Sequence, residues 1–232
     1  VNEVDVDCFN DCDGYAETNP SGGMIPYTYL WSNGQNTALA TGLCAGIYYV
    51  TITDNNGCNT IDTATISEPA LLENSFNYNN IDCNGNSTGS ITSTITGGTP
   101  SYLFQWDDIN LQTTATATGL IAGTYNLTIT DSKGCSITDN ITITEPSAIV
   151  LLVDTSGSNC GQSDGSACIT VSSGSAPFSY NWSTIPNQNT SCATGLFSGT
   201  YNVTLTDASG CTAIETAIIN DLGAPNLTIS SF

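Results

Sequence analysis

Apolar and polar residues alternate along much of this chain with a period of two, the repeat of a strand with one face in a core. Tyr27, Tyr29 and Trp31 share one face of such a strand, as do Tyr102, Phe104 and Trp106, and Phe178, Tyr180 and Trp182. Tyr125, Leu127 and Ile129 alternate with Thr124, Asn126, Thr128 and Thr130, an apolar-in, polar-out pattern. Asp54-x-x-Gly57, Asp131-x-x-Gly134 and Asp207-x-x-Gly210 each place Asp first and Gly last in a tight turn. A short carboxylate caps turn amides and Gly accepts positive φ, so a hairpin is predicted at each. Good helix formers are scarce, with one Lys, one Met and no Arg, while Thr, Ser, Asn and Gly abound.

The pattern occurs three times. Pro26-Tyr27-Thr28-Tyr29-Leu30-Trp31 recurs at Pro100–Trp106 and Pro177–Trp182. Thr41–Tyr48 recurs at Thr118–Tyr125 and Thr194–Tyr201, and Thr53–Cys58 at Thr130–Cys135 and Thr206–Cys211. Three blocks in constant order signal tandem copies. Glu68-Pro69 and Glu145-Pro146 set the boundaries at 1–69, 70–146 and 147–222, with 223–232 opening a further period. No Gly/Ser linker separates the copies, so close, semi-rigid coupling is expected. Pro225–Phe232 matches Pro69–Phe76 position for position, and Val1 falls in the phase of Phe76. Two expectations follow: an excerpt of a longer repetitive chain, or strand addition to the next subunit through Pro225, Leu227, Ile229 and Phe232.

Ten cysteines, no His and no C-x-x-C pair favour disulfides over zinc, and hence an oxidising, extracellular setting. Each copy has a leading cysteine (Cys8, Cys83, Cys160) and a hairpin cysteine (Cys58, Cys135, Cys211). Pairing within each copy would close loops of about 50 residues, worth roughly 4 kcal/mol in the chain-entropy model. Cys12 with Cys44 and Cys168 with Cys192 are also expected to pair within their copies, intermolecular cross-links being the alternative. The net charge of -20 sets nucleic acid and anionic membrane surfaces aside as partners. No run approaches the roughly 18 apolar residues of a membrane span, and no signal peptide starts at Val1, so an exported protein would be represented by a mature piece.

Gly22-Gly23-x-x-Pro26-Tyr27-x-Tyr29-x-Trp31-Ser32-Asn33-Gly34, followed by Gly42-Leu43-x-Ala45-Gly46-x-Tyr48-x-Val50-Thr51-x-Thr53-Asp54-x-x-Gly57-Cys58 and a closing Glu-Pro, resembles the SprB repeat of large surface adhesins in gliding bacteria. The resemblance covers the chain three times over. Its Trp-x-x-Gly and Ala-Gly-x-Tyr-x-Val elements are also similar to PKD and other immunoglobulin-like sandwiches. Ser32-Asn33-Gly34 gives way to Asp107-Asp108-Ile109 and Ser183-Thr184-Ile185, so variable loops are expected there. The resemblance implies an all-β rod of three immunoglobulin-like (PKD-like) β-sandwiches displayed on the bacterial cell surface, and no catalytic residues.

A hydrolase without His or Arg would need paired carboxylates. Asp107-Asp108 is the one adjacent pair, read here as an exposed loop. Asp5, Asp7, Asp11 and Asp13 are calcium candidates, since Asp11-x-Asp13-Gly14 mimics the opening of a calcium loop, although its closing Glu is missing. Asn86, Asn126, Asn140, Asn181, Asn189, Asn202 and Asn226 open N-x-Ser/Thr triplets, and Asp62-Thr63-Ala64 resembles a bacterial O-glycosylation motif placing sugar on Thr63. Ile47 and Tyr49 stand on an outward strand face where the other copies have Thr and Asn, and are candidates for a contact surface. The sequence therefore reads as a non-catalytic, secreted stalk or filament whose partners are copies of itself or adjoining repeats. The alternative is a calcium-assisted adhesin module that binds surface glycans.

Overall fold

The computed structural model describes residues 1–223, and the strand-addition candidates Pro225, Leu227, Ile229 and Phe232, with Asn226, lie outside them. The described residues form strands and turns with no helix. In the first copy β1 (Asn2–Val4), β2 (Gly14–Glu17) and β4 (Leu39–Leu43) make one sheet, in the order β1-β2-β4. The second sheet, β3-β5-β6, is built from β3 (Thr28–Trp31), β5 (Gly46–Thr53) and β6 (Asn59–Ile66). All four pairings are antiparallel. The second copy contributes β7 (Glu73–Asn79), β8 (Gly89–Thr96), β9 (Leu103–Trp106), β10 (Thr116–Leu120), β11 (Gly123–Thr130) and β12 (Ser136–Ile143). The third contributes β13 (Val150–Ser156), β14 (Gly165–Ser173), β15 (Ser179–Trp182), β16 (Cys192–Leu196), β17 (Gly199–Thr206) and β18 (Thr212–Ile219). Strand order repeats as β10-β8-β7 with β12-β11-β9, then β13-β14-β16 with β15-β17-β18. The chain is three immunoglobulin-like sandwiches, each of two three-stranded sheets.

Compactness divides the chain differently. One unit comprises residues 1–78, 91–117 and 124–141, and the remaining described residues form the other. The division runs through the second copy.

The tryptophan of each copy is fully buried, and the alternation of its strand explains why. Val50 pairs with Trp31 across β3 and β5, and both point into the core beside Leu43 and Ile66. Val203 and Trp182 repeat this beside Leu196 and Ile219. Each indole Nε1 still needs an acceptor once buried. It donates to the carbonyl of Thr37, Thr114 or Thr190 at 2.9, 2.9 and 3.0 Å. The remaining aromatics of these strands, Tyr27, Tyr29, Phe178 and Tyr180, pack half-buried against the same cores.

The Gly-x-Tyr motif explains itself once folded. Tyr48 and Tyr201 donate their hydroxyls to the carbonyls of Cys44 and Phe197, four residues back, at 3.1 and 3.2 Å. This is the tyrosine corner of immunoglobulin-like sandwiches. The loops expected to vary keep their chemistry. Ser32 Oγ, Asp107 Oδ1 and Ser183 Oγ accept the backbone N–H of Tyr49, Asn126 and Asn202 at 3.2, 2.8 and 2.9 Å. A different side chain makes the same brace.

Replacing Trp182 with Ala should remove about 3–5 kcal/mol of stability through the cavity it leaves, a large share of a small domain's total. Denaturant unfolding of the oxidised chain would measure it, and a loss under 1 kcal/mol would contradict this core assignment.

Candidate functional site: the junctions between repeats

Each hairpin end is built around one aspartate. Asp131 Oδ1 accepts the N–H of Lys133 and Cys135 at 2.9 and 3.0 Å, and Oδ2 accepts the N–H of Thr99 at 2.8 Å. Asp54 makes the same set with Asn56, Cys58 and Met24, and Asp207 with Ser209, Cys211 and Ser175. The hairpin cysteine is thus set in place by its own turn. The Gly-Gly loop packs against this carboxylate: a Cβ on Gly98 would lie 2.9 Å from Asp131 Oδ2, and one on Gly97 only 1.8 Å from the Leu71 carbonyl oxygen. Both glycines have positive φ, so backbone and space agree on the residue.

The leading cysteine sits at the other end of its sandwich. The N–H of Val6 donates to Ser67 O at 3.2 Å and the N–H of Asn10 to Glu68 Oε2 at 2.8 Å, both acceptors lying just beyond β6. In the second copy Ile81 N–H donates to Thr144 O and Gly85 N–H to Glu145 Oε2. The closing Glu of the motif therefore caps the loop that carries the leading cysteine.

This geometry overturns the pairing of Cys8 with Cys58, Cys83 with Cys135 and Cys160 with Cys211. Cys58 precedes the eight residues of β6 and Cys8 lies beside the residues that follow it. Eight extended residues span about 26 Å, whereas bonded cysteines have Cα atoms within about 7 Å. The bonds run between copies instead. Cys8 joins Cys135 and Cys83 joins Cys211, with Cα–Cα distances of 5.7 and 5.5 Å. Cys12 joins Cys44, and Cys168 joins Cys192, which stands opposite it in the β14–β16 register. Cys58 and Cys160 are unpaired and exposed.

Each inter-copy bond borders a cleft. The first, of about 350 Å³, is walled by Cys8 and Phe9 on one side and Gly98, Asp131 and Cys135 on the other, with Pro69–Leu72 running between. The second, of about 200 Å³, repeats this with Cys83, Asp207, Cys211 and Pro146–Ile149. Lys133, the one Lys or Arg of the chain, donates to Asp7 Oδ1 at 2.7 Å across the first junction. Both side chains are about half exposed, so solvent screens the pair and it adds little to the hold of the junction.

The other candidates are placed separately. Asp5 Oδ1 accepts Ser67 N–H, Asp13 Oδ1 accepts Asp7 N–H, and Asp7 holds Lys133. Asp5, Asp7, Asp11 and Asp13 do not converge, and among the described residues no group of three or more acidic, Cys or His side chains could hold a metal ion. Asp107 and Asp108 are not a free loop pair. Asp108 is buried and accepts the N–H of Asn110 and Gln112, while Asp107 braces Asn126. Thr63, Asn86, Asn126, Asn140, Asn181, Asn189 and Asn202 are all exposed. Ile47 and Tyr49 are exposed too, on the outward face of β5, and that face also carries Leu30 and Ile61 from β3 and β6.

The SprB repeat family model matches residues 1–36, 75–111 and 153–187. Three places along the chain, one in each copy, thus match the SprB repeat. Each matched stretch runs from the first strand through the leading cysteine and the buried tryptophan, and stops short of the hairpin cysteine. No curated protein matches the chain significantly. Among solved structures, the N-terminal eight immunoglobulin domains of Down syndrome cell adhesion molecule align over 87% of this chain at 10% identity and a TM-score of 0.40. The chain spans 33% of that structure's length. The Dpr2 Ig1-Ig2 complex with DIP-Theta Ig1-Ig3 aligns over 95% of this chain and 97% of its own, at 7% identity and a TM-score of 0.33. The BSP domain of a biofilm-associated protein covers 77% of this chain and 42% of its own, at 13% identity and 0.25. These superpositions are loose, and the likeness to SprB repeats rests on the three matched stretches.

Burial opposes ionisation of Asp131, but the N–H groups of Thr99, Lys133, Cys135 and Gly134 outweigh it and hold the carboxyl below its ordinary 3.8. A depressed folded value means the stabilisation is complete above 3.8 and is lost as pH falls through the lower folded value. Asp131→Asn turns an amide N–H toward a backbone N–H and should cost about 1–3 kcal/mol at pH 7. Thermal unfolding of both proteins should show that difference shrinking below pH 3.8; a difference independent of pH would contradict this role for the carboxylate.

Proposed function

We propose that this chain is a non-catalytic, load-bearing segment of an extracellular adhesive surface protein. The observation that supports this most is where the long-range disulfides lie. A bond inside a sandwich would stabilise one repeat; the bonds Cys8–Cys135 and Cys83–Cys211 tie each repeat to the next. Each closes a loop of 127 or 128 residues, worth about 5 kcal/mol in the chain-entropy model. Such bonds require an oxidising compartment. Outward-facing Thr, Asn and Asp keep the sheets hydrated, and a lone Lys leaves trypsin-like proteases one site.

The two bonds overlap along the chain, and this limits how far it can be drawn out. The shortest covalent route crosses from Cys8 to Cys135, runs back to Cys83 and crosses to Cys211. That route holds about 80 residues of the 232, so at about 3.5 Å per residue a fully unravelled oxidised chain reaches roughly 280 Å and a reduced one roughly 800 Å. The stalk or filament would yield locally without coming apart. Single-molecule pulling from the two ends, before and after adding a dithiol reductant, tests this. A contour length near 280 Å that grows toward 800 Å on reduction is expected, and the same length in both states would contradict load-bearing junctions.

A further inference from the structure

The junction geometry leaves two complementary halves unused. Cys58 belongs to the hairpin end of the first repeat, and Cys160 to the leading loop of the third. Both are exposed, and both are the counterparts of cysteines that are bonded elsewhere in the chain. We propose that Cys160 of one molecule and Cys58 of a second copy form a third junction disulfide, linking chains head to tail. This rests on the reading of the junctions as load-bearing couplings.

The hairpin half is already in the bonded form. Asp54 holds Cys58 N–H at 2.9 Å, as Asp131 and Asp207 hold Cys135 and Cys211 at 3.0 Å. Gly23 packs on Asp54 as Gly98 packs on Asp131. The cleft beside Cys58, about 180 Å³, is lined by Gly22, Gly23, Tyr27 and Asp54. The two intact clefts share its aspartate and hairpin cysteine, as Asp131 with Cys135 and Asp207 with Cys211, and add a leading cysteine and its neighbour from the preceding repeat.

The leading half matches as well. A hydrogen bond closes the loop at each leading cysteine: Asp7 N–H to Asp13 Oδ1, Asp82 N–H to Thr88 Oγ1, and Asn159 N–H to Asp164 Oδ1, at 3.1, 3.3 and 2.8 Å. Ser158 N–H donates to Asn220 O beyond β18, as Val6 N–H does to Ser67 O beyond β6. A second copy therefore brings a leading loop and a hairpin end held by the same kinds of backbone contact as those of the two internal junctions.

The bond forms by thiol–disulfide exchange with a low-molecular-weight disulfide such as oxidised glutathione. The thiolate of Cys160 attacks it to give a mixed disulfide and one glutathione thiolate. The thiolate of Cys58 then displaces the second, so two cysteine thiols are oxidised and one glutathione disulfide is reduced to two thiols.

The test is incubation of the purified chain in a glutathione redox buffer, followed by non-reducing electrophoresis and peptide mass mapping. A ladder in steps of 24.1 kDa, containing a Cys58–Cys160 peptide, is expected. Cys58→Ser and Cys160→Ser should each stay monomeric, and an equimolar mixture of the two should stop at dimers. Dimers from either variant alone, a Cys58–Cys160 bond within one molecule, or two persistently free thiols would each overturn the proposal. Neither variant touches Cys8–Cys135 or Cys83–Cys211, so the internal junctions can be verified in the same maps whichever way the ladder falls.

Discussion

The structure depends on a geometric constraint: an eight-residue strand separates the two phased cysteines of every repeat. β6, β12 and β18 each run for eight residues after the hairpin cysteine. A strand of that length carries the chain about 26 Å, far beyond the reach of a disulfide. The cysteines are therefore held apart within a sandwich and become available at opposite ends of it. A tandem array then brings the leading cysteine of one repeat to the hairpin cysteine of the next. Stabilisation that would otherwise be private to each small core is placed at the couplings.

The rest of the motif supports those couplings. The hairpin aspartate fixes the cysteine backbone, the Gly-Gly loop leaves room for the linker against that carboxylate, and the closing Glu68 and Glu145 cap the leading loops. Residues that look like separate signatures in the sequence are parts of one joint. The buried tryptophan and the tyrosine corner belong to a different task, since they hold each sandwich in shape.

Much of this was legible in the sequence. Period-two alternation marked the tryptophan strands, the Asp-x-x-Gly turns marked the hairpins, and the three-fold recurrence gave the copies. The cysteine pairing was not legible, for a specific reason. Every leading and hairpin cysteine recurs once per repeat, so pairing within a copy and pairing to the next copy obey the same phase rule. Only strand direction distinguishes them, by placing Cys8 at the far end of β6 from Cys58. The acidic cluster misled in a related way. Asp5, Asp7 and Asp13 are close in sequence, but strand and loop geometry turns each to its own partner. Ser32, Asp107 and Ser183 looked like variation because identity changes while the brace they make persists.

The claim that consecutive repeats are bonded to each other has a direct test in the chain's one tryptic site. A Cys83→Ser variant, thiol-blocked and denatured without reductant, would be cut by trypsin after Lys133. Cys8 and Cys135 fall on opposite sides of that cut, so the account predicts a single species that separates into two fragments only after reduction. Two fragments before reduction would mean that Cys8 is not bonded to Cys135, and would contradict the account.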